Sequence, residues 1–165
     1  MTVVIQIGNW AIKETKKHIE NVRKLLQWVV SDLENRGKVH DQSKLQDPEV
    51  EGFLSTTNTL KGLTYGSEEY KEALSAMKPF LDHHYEHNSH HPEHHEKGVD
   101  DMNLLQIIEM LCDWKAATLR HADGDILRSI EINAKRFNMS PQLTQIFKNT
   151  VPFLEEIEDQ LEHGE

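Results

Sequence analysis

From Asn9 to about Arg36 the apolar residues Ile12, Ile19, Val22, Leu26, Val29 and Leu33 recur at helical steps, with Lys and Glu between them. This period predicts a long amphipathic helix, and Gly37 is placed to close it. Asp47 and Pro48 offer an N-cap and first-turn residue for a short helix over PEVEGFLSTTN, and Lys61 to Ser67 reads as a loop. A second long helix is predicted from Ser67, because Leu74, Met77, Leu81 and His84 fall at steps of three, four and three. His84 thereby continues an apolar, inward stripe. Asn88, Ser89 and Pro92 end that helix and leave His90 to His95 in a turn or short helical segment. A third helix is expected from about Met102 to Leu119, with Leu104, Leu105, Ile108, Leu111 and Cys112 as its core side. A fourth follows over Ile126 to Phe137, another starts at Ser140-Pro141, and the acidic FLEEIEDQLEHGE forms a final one.

No repeat, alternating strand pattern or Gly-rich phosphate loop interrupts these elements, so the expected fold is all-α. At 165 residues one domain with its own core is the expectation for 1–165. No apolar run reaches the roughly 20 residues that cross a bilayer. MTVVIQIG lacks a basic start and a small-residue cleavage site, so a cytoplasmic protein without a membrane partner is expected. A net charge of −10 disfavours duplex nucleic acid, whose binding depends on clustered Lys and Arg. The lone Cys112 reads as a buried thiol. Trp10 and Phe153 leave a homodimer open.

Candidate chemistry concentrates in polar residues on apolar faces. Residues 83 to 95 read HHYEHNSHHPEHH, seven of the chain's eleven histidines. His40-Asp41 places an imidazole and a carboxylate in one turn, a pair suited to Zn, Fe, Mn, Ni or Co. His18 lies in line with Val22, Leu25 and Val29. Asp113 sits between Cys112 and Trp114, where a carboxylate is costly unless paired, exposed or bound to a cation. Glu109 is one turn earlier on the same face.

HDQSK at 40–44, HHYEHNSHHPE at 83–93 and EMLCDW at 109–114 resemble, in order and type, the motifs of the HD-domain superfamily of metal-dependent phosphohydrolases. The likeness is to a small phage and bacterial branch of it. It covers roughly residues 10 to 120, with the C-terminal helices, about 125 to 162, completing the bundle. The resemblance implies an HD-like helical bundle with His18, His40, Asp41 and Asp113 at a metal site. His84, His90 and His91 are implied as further ligands, and Asp41 as a bridge if two ions bind. His83, His87, His94 and His95 have weaker claims, the last two as solvent-facing excess, and Glu93 is expected to orient a ligand. Lys44 is implied beside a substrate phosphate, and Asp41 or Glu109 as the carboxylate that orients the attacking water.

The expected activity is hydrolysis of a small phosphoester, with a nucleotide the first candidate, using one or two divalent transition ions. Arg120, His121 and Arg128 are candidates to reach an anionic substrate. An HD-type di-iron oxygenase and a non-catalytic metal-binding module are the alternatives.

Overall fold

The computed structural model describes the backbone of residues 2–60, 68–119 and 124–163. All regular structure among these residues is helical. The chain divides into two units, Met1–Val39 and His40–Glu165.

The first unit is a single helix, α1 (Thr2–Val39). Its length follows from an uninterrupted apolar period and the absence of proline. Arg36 bonds to Asp32 at 2.7 Å, and Arg36 and Lys38 lie in the last turn, where cations complement the helix dipole. Gly37 does not close α1; the helix passes through it to Val39, since glycine inside a helix costs only about 1 kcal/mol against alanine.

The second unit comprises α2 (Glu49–Leu60), α3 (Glu68–Ala76), α4 (Lys78–His87), α5 (Leu104–Thr118), α6 (Ile126–Arg136) and α7 (Pro141–His163). Short 3-10 turns lie at Gln42–Leu45, Pro92–His94 and Gly98–Asp101. The predicted second long helix is two helices, broken by a turn at Met77. Pro79 supplies the reason, because its ring cannot follow a helical carbonyl four residues back, whereas it fits the first turn of a new helix. The two helices expected after Ser140 are instead one. The Ser140 hydroxyl accepts from Leu143 N at 3.2 Å, and α7 continues through Pro152. The predicted loop at 61–67 lies outside the described residues.

The core joins α5, α6 and α7. Met110, Leu111, Trp114, Ile126, Ile130, Phe147 and Val151 are buried there, with Phe137 stacked on Trp114 and Phe147 edge-on to it. Val99 and Met102 insert the preceding loop into the same core. Asn103 then starts α5 with a capping box, its side chain taking the Leu105 and Gln106 amides while Gln106 takes the Asn103 amide. On the expected core side of α5, Leu111 is buried and Leu105 and Ile108 are half-buried, but the other two positions are not. Leu104 is 67% exposed and Cys112 is an exposed free thiol, while Met110 and Trp114 face inward. A helix that is apolar on nearly every side does not announce which side is buried.

A close approach between α2 and α4 completes the frame. A Cβ built at Gly52 would collide with the Phe80 ring, so only glycine lets the two helices meet there. Gly52 is one turn after Glu49, and Phe80 one turn before His84.

Candidate metal centre

Four chain segments deliver the site, all within His40–Glu165. The turn after α1 brings His40 and Asp41, α4 brings His84, the loop that follows brings His90 and His91, and α5 brings Glu109 and Asp113 one turn apart on one face. Asp41 has φ of 55°, a left-handed conformation that aspartate tolerates better than most residues. From there its carboxylate faces two ways. Oδ1 lies 3.3 Å from His84 Nε2 and 3.6 Å from His90 Nε2, while Oδ2 lies 3.7 Å from His40 Nε2 and takes a 2.6 Å bond from Lys44.

Carboxylates behind the imidazoles set their orientation. Glu109 Oε1 lies 2.9 Å from His40 Nδ1 and 3.2 Å from His90 Nδ1. Glu49 Oε2 lies 2.9 Å from His84 Nδ1. An ionised carboxylate can only accept, so each Nδ1 donates to it and, in the neutral ring, Nε2 of His84 or His90 keeps its lone pair. His84 Nε2 also meets His91 Nε2 at 2.8 Å, a separation at which the two nitrogens share one hydrogen or jointly face a cation.

Electrostatics follow from this geometry. His40 is raised to about 10, chiefly by the Asp113 carboxylate 3.6 Å from its Nε2, then by Glu109. His91 is lowered to about 3 by burial and then by His90 and His84 beside it. His84 is lowered by burial and by the Lys44 charge. Burial alone would raise Asp41, but the Lys44 bond and charge together with His40 and His84 outweigh it and hold the carboxyl below its ordinary range. Asp113 is likewise held down against burial by His40 and His90.

The donor set fits a divalent transition ion. Three groups have ligand atoms mutually within 4.8 Å: Asp41 with His84, His90 and His91; His40 with His90 and Glu109; and His40 with Asp41 and Asp113. Ligands on opposite sides of one ion, each about 2.0–2.2 Å away, span no more than about 4.4 Å, and the separations of 2.8 Å between His84 and His91 and of 3.3 and 3.6 Å from Asp41 to His84 and His90 lie within that span. Asp41 Oδ1 and His90 Nε2 are buried, and neither has a hydrogen-bond partner among the described residues. Two such acceptors 3.6 Å apart are costly unless something positive lies between them. Asp41 belongs to both the first and third groups and His40 to the second and third, so the same residues can serve one ion or a pair.

The structure thus brings together His40, Asp41, His84, His90, His91, Glu109 and Asp113. His18 is exposed on α1, in the first unit. Lys44 lies at the edge of the cluster, bonded to Asp41. Glu93 does not orient a ligand; it pairs with Arg136 of α6 at 2.6 Å. His94 and His95 are not excess, since they bond to the carbonyls of Tyr85 and Ser89 at 2.8 and 3.0 Å and tie down the loop carrying His90 and His91. His83 bonds to Glu49 at 2.8 Å and stacks on His87. Arg128 is exposed on α6, and Arg120 and His121 lie outside the described residues.

Glu49 is the site residue that the sequence does not single out. An acidic residue in the first turn of a helix looks like an ordinary partner of the helix dipole. Its only distinguishing signal is its place directly after Asp47-Pro48, at the start of α2.

Residues 9–157 match the family of unknown function DUF5662. The chain belongs to that family. No curated protein and no solved structure matches it. No described helix is long and apolar enough to cross a membrane.

Proposed function

We propose that this DUF5662 protein is a metal-dependent phosphohydrolase that acts on a small soluble phosphoester, with a nucleotide as the first substrate class to test. The observation that carries the reading is the pair of buried acceptors without a described partner, Asp41 Oδ1 and His90 Nε2, surrounded by further imidazoles and carboxylates from distant segments. The imidazole and carboxylate set suits Zn, Mn, Fe, Co or Ni, held by His40, Asp41, His84, His90, His91 and Asp113. A bound ion would lower the pKa of a coordinated water towards about 7 and polarise a phosphoryl oxygen.

The chain's own residues supply the rest. Glu109 holds the rings of His40 and His90 in register, and its carboxylate, 12% exposed, borders the cluster closely enough to orient an attacking water. Lys44 is 38% exposed and can turn an ammonium proton from Asp41 towards an anionic oxygen, offsetting charge that develops there. No protein nucleophile is needed.

The test is a screen of nucleotides and other phosphoesters with metal-reconstituted protein under anaerobic conditions. Phosphate release without oxygen is the expected result. Turnover that requires oxygen would replace the reading with an HD-type oxygenase, and metal binding with no turnover on any phosphoester would leave a binding module.

A further inference from the structure

Glu49 is 0% exposed, whereas the other described carboxylates reach water or face the metal-capable cluster. Its two oxygens are both engaged, Oε1 with His83 Nδ1 at 2.8 Å and Oε2 with His84 Nδ1 at 2.9 Å. A buried carboxylate with one partner removed is strongly destabilising, so a chain with no use for Glu49 would do better with an apolar residue there. The second partner ring, His84, is itself only 2% exposed and carries its Nε2 to within 3.3 Å of Asp41 Oδ1.

We infer that Glu49 is a positioning residue of the metal centre: by accepting from Nδ1 of His84 it fixes the ring's tautomer and turns Nε2 onto the ion. The inference rests on the metal-centre reading and adds to it a residue outside the ligand set. The surrounding side chains serve the same contact. The Gly52–Phe80 approach brings the first turn of α2 against α4. Asn88, 7% exposed, bonds through Nδ2 to the His84 carbonyl at 2.8 Å and to Ser43 Oγ at 2.7 Å, linking the end of α4 to the turn that carries Asp41. His83, on the solvent side, occupies the other oxygen and stops Glu49 from rotating away. Without the carboxylate, His84 could place its proton on Nε2, and that nitrogen would no longer be a ligand.

The experiment uses the full chain, stripped of metal and titrated with Zn²⁺ against a chromophoric chelator, together with the visible spectrum of the Co²⁺ form. Glu49→Gln is expected to lower Zn²⁺ affinity about 10- to 100-fold and to change the Co²⁺ bands while the helical circular-dichroism signal is retained. Glu49→Asp keeps the charge but withdraws it by one methylene, and is expected to restore little of the loss. A folded Glu49→Gln protein with wild-type affinity and spectrum would overturn the inference. Should the variants not fold, ¹⁵N-resolved spectra of the Zn²⁺-loaded wild type decide it: His84 must keep its proton on Nδ1 and ligate through Nε2, and ligation through Nδ1 overturns the assignment. A wild-type protein that takes up neither Zn²⁺ nor Co²⁺ fails at the metal-centre reading itself, a result distinct from either outcome for Glu49.

Discussion

Metal binding at this site should release one proton from His40, and the consequence can be worked out from its surroundings. Asp113 and Glu109 raise this imidazole to about 10, so at neutral pH a metal must displace its proton before Nε2 becomes a ligand. His84 and His91 are shifted down and Asp41 and Asp113 are held ionised, so none of those four adds a proton near neutrality. Affinity should therefore rise about tenfold per pH unit, or about 100-fold between about pH 6 and pH 8, equivalent to about 2.7 kcal/mol. Stability of the metal-free protein runs the other way. A raised folded-state pKa contributes stability that is fully present below the ordinary value of 6.5 and is lost as pH rises through about 10. The gap between those two values sets a ceiling of about 5 kcal/mol, lowered by solvent because the ring is 27% exposed. Chelator competition across the pH range, calorimetry in buffers of different ionisation enthalpy and urea unfolding of the stripped protein read these quantities. A pH-independent wild-type affinity, or a His40→Gln variant with the same pH slope as wild type, would refute the reasoning.

Asp113→Ala should remove the third ligand group and the principal partner of His40, so metal retained after dialysis, measured by elemental analysis, should fall; retention at the wild-type level would place binding in the 83–95 segment alone. Gly52→Ala should force α2 and α4 apart at the Phe80 ring, costing about 1–3 kcal/mol in urea unfolding and weakening Zn²⁺ binding through the Glu49–His84 contact. Loss of stability with unchanged affinity would separate that close approach from the site.

Helix content was legible because period is a local property, and α1, α5 and α6 lie close to where their apolar residues place them. The α3–α4 break was legible in principle, but the stripe through Leu74, Met77 and Leu81 masked the local veto of Pro79. Within the site, His40, Asp41 and Asp113 could be singled out by type and motif, and His84 by helical phase. The roles of Glu49, Glu93, His94 and His95 could not, since each depends on a partner 6 to 43 positions away. A surface ion pair, a loop tether and a buried orienting carboxylate look alike until the chain is folded.

The left-handed turn at Asp41 narrows what evolution or an engineer can place there. Glycine suits the backbone but brings no ligand, asparagine and histidine suit it but bring no negative charge, and glutamate can bind metal but favours other backbone angles. Only aspartate meets both demands, so the conformation and the coordination chemistry select the same side chain independently. For the same reason Asp41→Asn, and not Asp41→Ala, is the substitution that isolates the charge. Alanine would disturb the turn and the site together, and a loss of metal in that variant would have two causes.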